Sequence, residues 1–587
     1  FEPVNVLDDR LYFPKQQYAC VKGGQNVTQY SELNTNDGTN SVANFNVTLP
    51  SLSTVIDRQV MFRAKVRLAV RMGYRRADNA AVNTPLNWGK NITFAPFPLH
   101  QLIKTATVTI NNASQSLDMQ NVLPIVLKNL DPEYLTKYAS LCPTQPDEYA
   151  EYSENTTDQS NGPFSAYGAK GYNEMQGRAA YPVVIAGGVA AGGAVGDEVD
   201  FTSYIDFEMC EPLLIPPFLL SNNNPNASGL FGVNNLTFNF NLQSSNSRAV
   251  RLCMNDGTTD FGAYGAAAPP AGNGNFCIKG VDLTHISGSY LDFNFITPHA
   301  SLKLPNRCIV PSMDIQYYSS NVSEAVAYVN GDRLNAAQGN PSHKTIQSNA
   351  ISLSKIPDKI LIVIRKKQAL KNASEADANL SIQGIRVSFN NQGGILSSAT
   401  RRQLYTMSRD NGCFQNWLEY QGFAPSEATG GGDITDAAYH PLCGSVLCLD
   451  FAKDINLANN FECPGTLGQY NLQVQVDVAN YWDAGFVAGN YELGMMVVNS
   501  GYLVSSLGSS SLYTGIITKK MAQEVSMKEP QNEGGYERMI GGGWWSKVKR
   551  FLKPITESPF IGKGSTAGGM TAGGSTAGGM TAGKAKK

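Results

Sequence analysis

The sequence is poor in the residues on which most catalysis depends. Only five histidines occur in 587 residues, at 100, 285, 299, 343 and 440, and none forms an HExxH or other i, i+4 pair. There is no GxSxG, no GxxxxGK followed by Ser or Thr, and no GxGxxG after a strand. Zinc proteases, α/β-hydrolases, P-loop NTPases and dinucleotide enzymes therefore lack their usual anchors. Cys413 or Cys443 beside His440 offers a nucleophile and a base, but no third group to orient the base, so these read as chance neighbours. Nothing positive supports a carboxylate pair for glycoside hydrolysis. The chain reads as a non-enzyme with no catalytic residue, no cofactor and no metal site.

Other absences narrow the class further. Ten cysteines occur without one CxxC pair, which leaves little for a zinc ribbon and favours buried thiols. No apolar run reaches 18 residues, so no membrane-spanning helix is predicted. No secretory signal is visible, so the ten Asn-x-Ser/Thr sequons, Asn26, Asn46, Asn91, Asn155 and Asn235 among them, are expected to stay unused. Charged residues make up 16%, against about a quarter in an average protein. Asn, Gly, Ser, Thr and Tyr fill the gap, which suits sheets joined by long polar loops.

What is present is strand. In VMFRAKVRLAV (60–70), Val60, Phe62, Ala64, Val66, Leu68 and Val70 share one face, a half-buried strand with period two. LTFNFNL (236–242) and NLQVQVDVAN (471–480) alternate in the same way. KILIVIRK (359–366) is apolar almost throughout and predicts a strand buried on both faces. Further strands are predicted near 43–49, 105–112, 310–318, 385–391, 445–451 and 491–498. Helical signals are few. One spans 397–409, with Ser397 and Ser398 as N-caps and Leu404 and Met407 facing inward; another lies between Met119 and Leu141, interrupted by Pro124 and Pro132.

At this length the chain should divide into domains. Each half is many strands with one helix inside it, so the predicted class is all-β. The boundaries read as 1–255 for a first barrel carrying a Gly/Ala-rich insertion (184–200), 256–283 for a linker, 284–520 for a second barrel and 521–587 for a flexible tail. Two adjoining ten-residue repeats, STAGGMTAGG and STAGGMTAGK, end that tail. Residues 544–587 carry about +7, leaving about −9 for the rest of a chain whose net charge is −2. The basic charge is thus confined to one end.

Several segments together are similar to a known family. TVIDRQVMFRAKVRL (54–68) resembles the first long strand of the double jelly-roll major capsid proteins of virophages and polinton-like viruses. FPLHQLIKTATVTIN (97–111), IPDKILIVIRK (356–366), FNNQGGILSSATRRQLYTMSRDNG (389–412) and GSVLCLDFAKDINL (444–457) resemble later segments of that family, in the same order. The resemblance implies two tandem eight-stranded jelly rolls with a few short helices, one helix in each barrel. It implies a homotrimer forming a pseudo-hexagonal capsomer of an icosahedral capsid. Neighbouring capsomers, penton proteins and minor capsid proteins would be its partners in the virion. Loops 150–200 and 254–275 would supply outer towers or trimer contacts.

The tail holds the candidate site residues. Met539, Gly541, Gly542 and Gly543 fit a pattern resembling adenovirus-type maturation protease sites, with cleavage before Gly543, which names a viral cysteine protease as a partner. On a helix running 543–553, Trp544, Trp545, Val548, Phe551 and Leu552 form one stripe; Lys547, Lys549, Arg550 and Lys553 cover the other side. Such a segment suits an anionic membrane surface, or docking beneath the shell with its basic face toward packaged DNA. The competing class is a secreted glycan-binding β-sandwich whose sequons are used.

Overall fold

The computed structural model describes residues 26–518 apart from short stretches and the longer segments 137–146, 151–184, 327–342 and 426–438. The first half supplies β1 (Asn26–Leu33), β2 (Val42–Thr48), β3 (Met61–Arg75), β4 (Ile103–Ile110), β5 (Ala113–Leu117), β6 (Glu198–Pro212), β7 (Asn235–Leu242) and β8 (Phe276–Thr297). Two four-stranded sheets result, in the orders β1-β8-β3-β6 and β2-β7-β4-β5, all antiparallel, with the short strand Val55–Ile56 added beside β8. Phe62, Ala64, Val66, Leu68 and Val70 of β3 are buried, as the alternation predicts. Phe45, Phe238 and Phe240 meet them from the facing sheet.

The second half supplies β9 (Cys308–Val322), β10 (His343–Gln347), β11 (Ile351–Lys355), β12 (Lys359–Lys366), β13 (Ser381–Phe389), β14 (Gln392–Ile395), β15 (Leu447–Asp450), β16 (Thr466–Ala479), β17 (Tyr491–Ser506) and β18 (Ser509–Thr514). Their sheets run β9-β17-β12-β15, with β18 beside β17, and β10-β16-β13-β14, with β11 also on β16. Each half is thus a sandwich of two facing antiparallel sheets, a jelly roll, and the chain is a double jelly roll.

Two expectations from sequence need correction. Phe276–Thr297 crosses the expected linker 256–283 and enters the expected second barrel, yet β8 pairs with β1 and β3 of the first sheet. The first barrel therefore closes at Thr297, and the connection to the second lies between Thr297 and Cys308. The run before it (262–275) is rich in Gly, Ala and Pro and drew the boundary too early.

The second correction concerns the helix expected to begin at Ser397. α2 (Arg401–Asp410) starts later, after α1 (Met119–Leu127) of the first half. Its N-cap is Thr400, whose hydroxyl accepts from Gln403 N while the Gln403 side chain accepts from Thr400 N. Only Thr400 has a Gln three residues on, so only it closes a capping box. Ser397 and Ser398 lie in the turn after β14. Leu404 is buried, and Met407 packs partly buried against the second core.

The Gly/Ala-rich stretch 185–197 is not a detached loop. Gly188–Val189 pairs with Val82–Asn83, and Arg76 donates to Ala190 O at 2.9 Å. Gly188 sits with φ near 156° against Val82 O, where an added Cβ would come within 2.5 Å, so glycine is needed there.

Candidate functional site: the seam between the barrels

The residues that join the halves begin with β12. Ile360, Ile362 and Ile364 point into the second core, while Leu361 and Val363 join the core of the first half. β17 divides in the same way: Leu493, Met495 and Val497 face one core, Met496 and Val498 the other. This sheet has apolar neighbours on both sides, which is why KILIVIRK lost its alternation. Val310, Met313 and Ile315 of β9 extend the shared apolar layer.

α1 covers this layer from the first half. Asp118 caps it by accepting from Asn121 N, and every residue except Asn121 is buried. Asn121 instead turns to the seam. Arg365, 1% exposed on its side chain, donates from Nη2 to Asn121 O at 2.8 Å and to the Tyr317 hydroxyl at 3.0 Å, and from Nε to Glu492 at 3.2 Å. Tyr317 in turn donates to Glu492 at 2.7 Å. One cation is thereby held by both halves.

A second ionic group lies beyond α1. Lys128 pairs with Glu419 and also donates to Asp147 O. Burial acts to lower the Lys128 pKa, but the Glu419 carboxylate overrides it and holds the ammonium above its ordinary value. Arg251 donates to Asp147 at 2.9 Å and lies 3.5 Å from Asp377, which also takes Lys371 at 3.2 Å. For the Asp377 carboxyl, burial pushes upward; Lys371, Arg251 and Arg248 together hold it below the usual range. Buried charges survive only when paired and hydrogen-bonded; Lys128–Glu419 and Arg251–Asp377 cross between the halves, and Asp377 N donates across to Asp147 at 3.0 Å.

At another part of the seam the acceptors are neutral. Asn111 Nδ2 donates to Ser510 Oγ at 2.8 Å, Asn112 Oδ1 accepts from Ser510 N at 2.8 Å, and Arg58 donates to Pro217 O and Pro311 O at 3.3 Å each. Sequence reasoning missed the whole seam, since its partners lie up to 399 positions apart. Its one readable trace was a set of charged residues inside otherwise apolar stretches, such as Arg365 in β12.

The sequence-derived candidates fall elsewhere. Met539, Gly541, Gly542, Gly543, Trp544, Trp545, Lys547, Val548, Lys549, Arg550, Phe551, Leu552 and Lys553 all lie outside the described residues. Cys413 and Cys443 are buried. Burial pushes the Cys413 thiol up to about 11 and Cys443 well above its ordinary value, so neither is a ready thiolate; the side chain of His440 lies outside the described set. His100 is buried and structural. Its Nδ1 donates to Glu211 at 2.6 Å and its Nε2 accepts from Leu214 N at 3.2 Å. Among the described residues, no three His, Cys, Asp or Glu side chains come together to hold a metal. An open groove of about 620 Å³ beside α2, with Gln392, Leu396, Met407 and Asp454 on its walls, offers one carboxylate and no nucleophile with a base.

Comparison with known proteins agrees with this architecture. The sequence profile of the Sputnik virophage major capsid protein first domain matches residues 1–296, and that of the major capsid protein V20 C-terminal domain matches 325–501. Capsid protein V20 of Sputnik virophage is 25% identical over 565 residues, covering 94% of this chain and 87% of that protein. In the cryo-EM structure of the Sputnik virophage, the matching chain is 24% identical and superposes with a TM-score of 0.68 over 92% of this chain and 98% of that one. The mavirus major capsid protein crystal structure is 14% identical, with a TM-score of 0.58 over 91% and 99% of the two chains.

Proposed function

The chain belongs to the Sputnik virophage major capsid protein family, and from that premise we propose that three copies form a pseudo-hexagonal capsomer, two barrels from each, that tiles an icosahedral shell. It is a structural protein of the virion capsid, not an enzyme. The observation that carries the capsomer reading is the seam. A tile must keep its two barrels at one angle under load, and a shared apolar layer with buried charges fastened from both sides supplies that rigidity.

Exposed groups beside the seam suit contacts between subunits. Phe414 and Leu418 are solvent-exposed next to Trp417, over whose ring the Arg402 guanidinium sits at 4.3 Å. Apolar, aromatic and arginine side chains of this kind are enriched at interface centres. Glycan binding through used sequons has less support. Asn91 is fully buried and its amide is committed to Asn87 N and Pro85 O. Sedimentation of the purified chain tests the capsomer: three times 63.3 kDa is expected, and a monomer would overturn it.

We further propose that a maturation protease cuts between Gly542 and Gly543 and frees the basic segment for lipid. The sequence pattern and its place between the last strand and the repeats support this. Intact-mass measurement of the capsid chain from purified particles decides it. A species ending at Gly542 is expected; a full-length chain would mean the tail is retained, with packaged DNA or the inner shell as its contact.

A further inference from the structure

The first sheet has two edges, and they are built differently. The β6 edge is guarded: Glu198, Asp200, Asp206 and Glu208 stand exposed along it, Pro212 ends it, and Ala186 bridges to Tyr204. Charges, proline and a covering segment are the usual protections against stray pairing. β1, at the opposite edge, has no proline and one charge. It pairs with β8 over eight residues, Asn26↔Thr297 to Leu33↔Tyr290, without a shift of register, and contains no Lys, Arg, Pro or Gly. Its single charge, Glu32, accepts from the Tyr30 hydroxyl. Val27 is 58% exposed, Leu33 46% and Tyr30 36%. Among the described residues its outer edge meets no strand.

We propose that this edge is closed by β1 of a second copy, paired antiparallel about Tyr30. The sequence NVTQYSEL is self-complementary in that register. Val27 falls opposite Leu33, Thr28 opposite Glu32, Gln29 opposite Ser31, and Tyr30 opposite Tyr30. Both exposed aliphatic side chains then gain aliphatic mates on one face, and no like charges meet. Moving the centre half a residue toward Gln29 sets Val27 against Glu32; moving it the other way sets Leu33 against Thr28. Both lose the apolar match. The joined sheet would run β6-β3-β8-β1 and back through the second copy, a width sheets commonly reach.

Symmetry says where this contact falls. Antiparallel pairing of a strand with itself needs a two-fold axis. A trimer contains only a three-fold, so, on the capsomer reading above, the paired strands join one capsomer to the next.

Charge exchange tests the register. Val27→Lys with Leu33→Lys sets lysine against lysine twice; this chain is expected to keep the trimer mass and lose shells. Val27→Lys with Leu33→Glu sets lysine against glutamate twice and is expected to regain them. The altered side chains are exposed, so folding should be unaffected. Tyr30→Cys, treated with copper–phenanthroline, is expected to give a covalent dimer in assembled shells but not in isolated trimers, the unchanged chain serving as control for exposed Cys210. Shells from the Lys/Lys chain at normal yield, or no dimer from Tyr30→Cys in shells, would overturn the proposal. A chain that cross-links through Tyr30→Cys without ever reaching a trimer mass would sink the capsomer reading and leave the strand pairing standing.

Discussion

Arg365 is bonded to Asn121 of one barrel and to Tyr317 and Glu492 of the other. Removing one member of such a buried pair leaves the other charged and dry, typically at about 3–5 kcal/mol. Arg365→Met and Arg251→Ala should each lower thermal stability by about that much, whereas Arg67→Ala, which breaks an exposed pair with Asp206, should leave the melting temperature unchanged. Asp450 is a different case. Burial pushes its carboxyl up to about 6. A carboxyl raised on folding adds stability at low pH and loses it as pH climbs through the folded value. The fall attributable to Asp450 therefore lies between about pH 4 and pH 6. Melting curves of Asp450→Asn across that window should be flatter than those of the unchanged chain. An identical slope would assign the effect to another group.

At the scale of elements, periodicity did most of the work, and its failures have physical causes. β3, β7 and β16 were legible because each has one wet and one dry face. β12 was legible as doubly buried, but not why, since nothing in KILIVIRK says that its second dry face belongs to another barrel. The barrel boundary was misplaced because Gly- and Ala-rich composition looks the same in a linker and in a run that leads into a strand. The start of α2 was written in Thr400 and Gln403, yet the serines just before them offered equally good isolated caps. Thr400→Ala should cost about 1 kcal/mol through the lost cap. Ser397→Ala and Ser398→Ala should cost nothing measurable by denaturant unfolding. Sequence alone pointed to the tail as the functional module and left of the seam only charged residues within apolar stretches, such as Arg365, because ion pairs across hundreds of positions leave no local pattern of pairing.

For the whole molecule, two barrels fastened by buried charge behave as one body. Denaturant unfolding should therefore follow a single transition by fluorescence and by circular dichroism. Arg251→Ala should separate the two probes if the seam alone couples the barrels. Fastened barrels are useful to a shell only if copies assemble in a fixed ring, which is the central claim about this chain. The most direct measurement is the solution mass of the purified full-length chain, followed by cryo-EM of the same peak. A species of three times 63.3 kDa with six barrels around a three-fold axis is the expected result. A stable monomer, or a ring of any other symmetry, would contradict it.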